Sequence, residues 1–188
     1  MRLLFFFALL ISTSLFGQER YAFVHFPGSM APSEINTFLA DTDAVVFGRL
    51  SDRSSWALLD ASVEKVTRLK SKYDTDVVFW NQRKGSVCDL KLYGEDVGLT
   101  FVKYNSHITK FNVQDLPKLF RLHDEHINKI NKTGNILLEG FLDNDDGGFL
   151  LMMGTVDKKV ISTDPAVVNG IIEPEVQLTS VQVKKGCH

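Results

Sequence analysis

The sequence predicts an α+β fold made of two tandem ferredoxin-like units packed as a pseudo-dimer, an arrangement like a dimeric α+β barrel within one chain. Two observations predict this fold class. The element order β-α-β-β-α-β, read from short apolar strands and amphipathic helices, is found twice along the chain. Residues 82–96, which are polar and contain two glycines, separate the two occurrences as a linker would. The alternative is an N-terminal α+β module without duplication.

Residues 1–17 have the regions of a secretory signal peptide in the usual order. Arg2 supplies the charge, Leu3–Ile11 is apolar, and small polar residues follow. The apolar stretch is shorter than the roughly 20 residues that a membrane-spanning helix needs, so a retained anchor is the weaker alternative. We therefore expect export, to a periplasm or out of the cell, with cleavage after Gly17 or Ser14.

Residues 18–81 form the predicted first unit. The segment YAFVHF is a short apolar strand before a Gly/Pro turn, and Pro32 opens the first helix. Apolar residues at three- and four-residue spacing mark a second helix. In chain order, we predict β 21–26, α 32–40, β 44–50, β 55–61, α 63–73 and β 77–80.

Residues 97–188 form the predicted second unit. Its long helix carries one apolar side made by Leu116, Leu119, Phe120, His123, Ile127 and Ile130. Gly134 follows this helix as its C-cap. In chain order, we predict β 98–104, α 116–130, β 135–142, β 148–154, α 157–169 and β 176–184.

Short segments of the two units also resemble each other. Residues 23–26 (FVHF) match residues 101–104 (FVKY), and residues 46–50 (VFGRL) resemble residues 138–142 (LEGFL). Each match is weak by itself because short apolar strands look alike. The common element order is therefore the stronger reason to predict a repeat.

Composition and charge exclude several partner classes. The 188 residues carry a formal net charge of −2, with acidic and basic residues interspersed. This pattern predicts neither nucleic-acid binding nor attachment to an anionic membrane surface. The two cysteines, Cys88 and Cys187, leave a disulfide and free thiols equally open in an oxidising compartment.

Three motifs of the second unit follow one another in an informative order. His123-Asp124-Glu125-His126 lies on the long helix, GNILLEG (residues 134–140) leads into a strand, and Asp164-Pro165 precedes the last strand. This order resembles the YCII-related family over residues 97–184. The resemblance implies a ferredoxin-like fold that usually pairs two subunits, and a pocket where the helix histidine, here His126, meets the aspartate of the Asp-Pro turn, here Asp164. The first unit lacks both residues, so it would be a degenerate copy without a site.

A histidine held by a carboxylate is suited to general acid or base catalysis near neutral pH, because the carboxylate fixes the tautomer and raises the basicity of the ring. We therefore predict His126 and Asp164 as the catalytic pair. The predicted binding residues around them are His123, Glu139, Met152 and Asn169. The structural alternatives are a hydrogen-bonded helix histidine and an aspartate that only caps the turn before Pro165.

Two functions of different classes fit these residues. One is a cofactor-independent lyase or isomerase acting on a small organic molecule, and the other is a non-catalytic module that binds a small ligand or a protein. We predict no metal site, because His123 and His126 have no third ligand at a diagnostic spacing. We also expect no cofactor, no nucleic acid, no membrane contact after signal cleavage, and either a monomeric pseudo-dimer or a homodimer.

Overall fold

A computed structural model of the protein describes residues 20–59, 67, 76–84, 87, 90, 98–142 and 147–183. The predicted signal segment, both cysteines and most of the predicted helix 63–73 lie outside the described residues. Thr67, within that predicted helix, is helical. Among the described residues, we find no helix with the length and hydropathy to cross a membrane.

The described residues form an α+β fold with eight strands. The strands are β1 (Arg20–Phe26), β2 (Ala44–Leu50), β3 (Ser55–Leu59), β4 (Asp76–Lys84), β5 (Leu99–Ser106), β6 (Ile136–Leu142), β7 (Gly147–Met153) and β8 (Ile172–Val183). The helices are α1 (Pro32–Asp41), α2 (Leu116–Asn131), α3 (Lys158–Ser162) and α4 (Pro165–Val168), and one turn of 3₁₀ helix spans Ile108–Lys110.

The eight strands close into a barrel in the order β1-β3-β2-β8-β5-β7-β6-β4, and β4 pairs with β1 to complete it. All eight pairings are antiparallel. Strands β4-β1-β3-β2 of the first half and β8-β5-β7-β6 of the second half have the same relative order. The halves meet at the β2–β8 and β4–β6 pairings.

The strand registers of the two halves also correspond. Gly48 of β2 lies opposite Trp56 of β3, and Gly140 of β6 lies opposite Phe149 of β7. The β2–β3 register shifts between residues 44 and 46, and the β6–β7 register shifts between residues 136 and 138. An extra residue at the same place in both pairs resets which side chains face outward, so β2 and β6 have the same burial pattern.

Stacked aromatic rings fill the inside of the barrel. Their centroids lie 5.2 to 6.5 Å apart, and the rings belong to Phe23, Trp56, Phe101 and Phe149. Gly48 makes room for this cluster, because a Cβ there would lie 2.3 Å from Trp56 Nε1. Val87 and Leu90, from the predicted linker, are also buried in this core. The interior is therefore packed, and a ligand site is to be sought outside it.

Helices cover the outside of both halves. Helix α1 packs on the first half through Ile35 and Phe38, and α2 packs on the second half through Ile127 and Ile130. The predicted apolar face of α2 is confirmed at His123, Ile127 and Ile130, which are buried, whereas Phe120 of that predicted face is 38% exposed.

The prediction of one continuous helix over residues 157–169 is wrong. The segment forms two short helices, α3 and α4, with a break at Asp164. A residue before proline is disfavoured in the helical region, and Asp164 has an extended ψ of 128°. Its side chain instead caps α4 by accepting a hydrogen bond from Ala166 N.

Candidate functional site

A cavity of about 220 Å³ lies outside the barrel, between α2 and the outer face of the second half of the sheet. Its walls include Tyr104 on β5, Phe120 and His123 on α2, and Glu139 and Phe141 on β6. The walls are mostly apolar, and the buried polar side chains among them are Tyr104, His123 and Glu139, with the half-buried Ser106 beside them. An apolar pocket with a few convergent polar groups is the usual form of a small-molecule site.

His123, in the wall of this cavity, forms a buried pair with Asp164, which does not itself line the cavity. His123 Nδ1 lies 2.6 Å from Asp164 Oδ2, and the Asp164 side chain is fully buried. Asp164 Oδ1 accepts a second hydrogen bond, from Ala166 N at 2.8 Å. Because an ionised carboxylate only accepts hydrogen bonds, His123 donates to Asp164 through Nδ1–H. In the neutral ring, Nε2 then carries the lone pair that a general base or ligand requires.

The break between α3 and α4 places the aspartate. Pro165 begins α4, and Asp164 caps it, so the carboxylate is held at the start of the helix by local hydrogen bonds. Helix α2 brings His123 to it because this histidine shares the buried face with Ile127 and Ile130. The pair is therefore fixed by one helix cap and one helix face.

The predicted contact between His126 and Asp164 is wrong. His126 Nε2 instead lies 2.9 Å from the backbone carbonyl of Val160, at the outer side of α2, so it donates a hydrogen bond to α3. His123, three residues earlier, occupies the position beside Asp164 that was predicted for His126. The apolar pattern of α2 contained the signal for this choice, because His123 lies four residues before Ile127 and seven before Ile130, on the same buried face.

The remaining predicted binding residues separate into two groups. Glu139 lines the cavity with His123 and is only 3% exposed. Met152 is buried in the core under α2 and lines a different cavity, near Val160. Asn169 is exposed and donates a hydrogen bond to the carbonyl of Pro165. Neither Met152 nor Asn169 lines the His123 cavity.

Tyr104 is a site residue that the sequence pattern did not single out. Its ring meets the His123 ring edge to face at a centroid distance of 5.6 Å. Its hydroxyl is buried and makes no hydrogen bond within the part of the chain that the structure describes. Burial raises the pKa of Tyr104 above its ordinary value, and the negative charges of Asp164 and Glu139 raise it further. Tyr104 is therefore a neutral phenol with a proton to donate. The sequence offered one signal for this residue: Tyr104 carries a hydroxyl where the matched residue of the first unit, Phe26, has none.

The described ranges contain no group of three or more histidine, cysteine, aspartate or glutamate side chains placed to hold a metal ion. The His123–Asp164 pair is thus a two-residue arrangement. Its geometry is that of a base with an orienting carboxylate.

Comparisons with known proteins leave the family open. No protein-family model matches the chain, and no curated protein matches it. Two similar solved structures are a candidate monooxygenase from Lactobacillus acidophilus and a heme-degrading enzyme from Listeria monocytogenes. The first has 6% identity and a TM-score of 0.43, and the alignment covers 87% of this chain and 94% of that one. The second has 8% identity and a TM-score of 0.43, with 84% and 97% covered. The resemblance to the YCII-related family stays a prediction.

Proposed function

We propose that the protein is a cofactor-independent enzyme of the lyase or isomerase class that acts on a small organic molecule, with His123 as the general base. One observation carries this proposal: His123 lines a cavity of about 220 Å³ and lies 2.6 Å, through Nδ1, from the carboxylate of Asp164. This reassigns the base from His126 to His123 and retains Asp164 as the residue that positions it.

The proposed chemistry begins with proton abstraction. His123 Nε2 takes a proton from a substrate carbon next to a carbonyl group, and the electron pair left on that carbon moves toward the carbonyl oxygen. The resulting imidazolium is stabilised by Asp164 through the Nδ1–H hydrogen bond. In an isomerase the proton returns to another atom of the substrate, and in a lyase the electron pair expels a leaving group.

Tyr104 supplies the second part of the mechanism. Tyr104 lines the same cavity, and its buried, neutral hydroxyl makes no hydrogen bond within the described residues, so the proposal has it donate to the substrate oxygen on which negative charge develops. A donor aimed at developing charge in a site without bulk water stabilises the transition state more than the ground state. The proposal therefore gives Tyr104 the role of an electrophilic donor.

The size and charge of the cavity restrict the substrate. Pockets for drug-sized ligands have volumes of about 300 to 1,000 Å³, so a volume of about 220 Å³ favours a smaller molecule. Glu139 in the wall and Asp164 behind His123 are acidic side chains, so a neutral or cationic substrate is favoured over an anion.

The test follows proton abstraction directly, so the product does not have to be identified first. The protein is incubated in D₂O with a panel of small aldehydes, ketones and amides, and NMR measures the exchange of protons next to the carbonyl group. We expect exchange of at least one compound, and a loss of about 10² to 10⁴ in its rate in His123→Gln. His126→Gln is the matched control and should exchange at close to the wild-type rate.

Two results would count against the enzyme. They are exchange at the wild-type rate in His123→Gln, and the absence of exchange with every compound of the panel. A circular dichroism spectrum of each variant separates a loss of chemistry from a loss of folding.

The second candidate function is a binding module without chemistry. Its specific support is the apolar rim of the cavity, where Phe120 and Phe141 are each 38% exposed. Partly exposed aromatic rings at a pocket mouth are suited to holding a ligand or a partner. This function predicts a compound that raises the melting temperature by binding the native state, yet undergoes no exchange.

We also propose that the chain is a pseudo-dimer of two ferredoxin-like units and that its second unit is related to the YCII-related family. The common strand order and the common register shifts support an origin by duplication. Because the eight strands of one chain already close the barrel, we expect a monomer rather than a homodimer, of 21.2 kDa for the full chain and less after signal cleavage. Light scattering coupled to size-exclusion chromatography measures this mass.

Export is proposed from the N-terminal segment alone. We expect the mature chain to begin near residue 18, in a periplasm or outside the cell. N-terminal sequencing of the protein from its native compartment tests this, and an intact Met1 on the native protein would contradict it.

A further inference from the structure

A second cavity, of about 340 Å³, lies between α1 and the outer face of the first half of the sheet. It corresponds in position to the His123 cavity of the second half. The two Gly–aromatic pairs, Gly48–Trp56 and Gly140–Phe149, align the registers of β2 and β6. Each cavity is lined by the residues on either side of that glycine.

The side chains at the aligned positions differ in chemical type between the two cavities. In the second half, the residue before the glycine is the buried acid Glu139 and the residue after it is the aromatic Phe141. In the first half, the residue before the glycine is the buried aromatic Phe47 and the residue after it is the exposed cation Arg49. An acidic wall is thus replaced by an apolar wall with a positive charge beside it.

A second arginine lines the same cavity. Arg53 lies in the turn between β2 and β3 and has a φ of 73°, a left-handed conformation that is uncommon for a residue with a side chain. The Arg49 guanidinium lies over the Phe47 ring, 5.9 Å from its centroid. The cavity is therefore lined both by two cationic side chains and by buried apolar side chains, which include Phe47 and Ile35.

Nearby carboxylates do not neutralise these arginines. Neither Arg49 nor Arg53 forms an ion pair with a described residue. Asp52 accepts hydrogen bonds from Ser54 and Gln177. Glu34 accepts one from the backbone of Ala31, and neither acid lines the cavity. The guanidinium groups are consequently available to an external anion.

We propose that the first half holds a second ligand site, for a small amphipathic oxyanion. Arg49 and Arg53 bind its carboxylate or phosphate group, and Phe47 and Ile35 contact its apolar body. The planar fork of arginine matches both anions through paired hydrogen bonds, so carboxylate and phosphate share one recognition chemistry. The volume of this cavity is within the range of small-molecule pockets. This site does not depend on catalysis at His123.

The experiment uses benzoate and phenyl phosphate as probes and neutral benzamide as the control ligand. Each is titrated into the ¹⁵N-labelled protein, and NMR follows the backbone amides of Ile35, Ser54 and Ser55. We expect saturable shifts with one or both anions and none with benzamide, and the stronger anion identifies the headgroup. Arg49→Gln and Arg53→Gln should each weaken binding about tenfold, because each removes hydrogen bonds to a charged group.

Two further variants keep the result interpretable. Arg121→Gln removes an exposed arginine of α2 outside the cavity and should leave the affinity unchanged. His123→Ala should also bind the anion normally, so failure of the enzyme proposal does not affect this one. The inference is overturned if neither anion gives saturable shifts, if benzamide binds equally well, if the Arg49 and Arg53 variants bind as the wild type does, or if His123→Ala abolishes binding.

Discussion

Replacement of Asp164 by alanine tests the buried pair on which the site depends. The change removes the acceptor of the His123 Nδ1–H and the cap of α4 together. A buried donor that loses its partner keeps its desolvation penalty and gains nothing in return. The variant should therefore be destabilised by more than the loss of a helix cap.

The magnitude follows from the burial of the pair. The lost hydrogen bond joins a neutral imidazole N–H to a carboxylate, and hydrogen bonds to charged groups contribute about 1.5 to 3 kcal/mol, whereas an exposed N-cap aspartate is worth about 1 kcal/mol. With Asp164 fully buried, we expect Asp164→Ala to lower the free energy of unfolding by about 3 kcal/mol. For a chain of this size, that corresponds to a melting temperature lower by roughly 6 to 12 °C.

Asp157 provides the matched control. It is exposed and caps α3 by accepting a hydrogen bond from Lys159 N, so Asp157→Ala removes a cap without a buried partner. Urea unfolding followed by tryptophan fluorescence measures both variants, and similar m-values are needed for the comparison. Equal losses of about 1 kcal/mol in the two variants would refute the reasoning, because the His123–Asp164 contact would then contribute nothing.

Three other substitutions have definite expected outcomes. Gly48→Ala should cost about 1 to 3 kcal/mol in urea unfolding, because its Cβ would lie 2.3 Å from Trp56 Nε1 in the packed barrel. Tyr104→Phe removes a buried hydroxyl that lacks a hydrogen bond within the described residues, so stability should be unchanged or higher by up to about 1 kcal/mol, while the proposed proton exchange slows. Asp52→Asn should destabilise at pH 7 and not at pH 2: the hydrogen bond from the Ser54 side chain lowers the pKa of Asp52, so its stabilisation is present above its unfolded pKa of about 4 and is lost as the pH falls through the lower folded pKa.

Each of these outcomes has its own contradiction. Gly98→Ala has open space around the added methyl group and should change stability by less than about 0.5 kcal/mol, so equal losses at residues 48 and 98 would argue against crowding. A marked loss of stability in Tyr104→Phe would mean that the hydroxyl has a partner. An equal loss of stability from Asp52→Asn at pH 2 and at pH 7 would show that the negative charge of Asp52 does not stabilise the fold.

Local patterns in the sequence predicted much of the secondary structure. Strands 21–26 and 44–50 agree with β1 and β2 to within a residue, because short apolar runs between turn residues are a local signal. Helix α2 was also predicted closely from its apolar face. The closed order of the strands is a property of pairing between distant segments, and it depends on registers that a single sequence does not specify.

The site was predicted only in part, and the reasons are physical. Asp164 was identified through the Asp-Pro dipeptide of the family resemblance, but its partner depended on a rotation of α2 by less than one turn. His126 and His123 differ by three residues, so both lie near one helix face and the packing of the isoleucines decides between them. Tyr104 was missed because a tyrosine in an apolar strand looks like a core residue, and only the structure shows that it lines a cavity and that its buried hydroxyl has no hydrogen bond within the described residues.

The most direct test of the central claim is a ¹⁵N NMR spectrum of the histidine side chains in the wild type and in Asp164→Asn. We predict that His123 has a protonated Nδ1 and a lone pair on Nε2, and that only its ring signals change markedly in the variant. The His126 signals should be nearly unaffected, because that ring donates to the Val160 carbonyl. An Nε2-protonated His123, or a His126 ring that responds to Asp164→Asn in its place, would contradict the His123–Asp164 site.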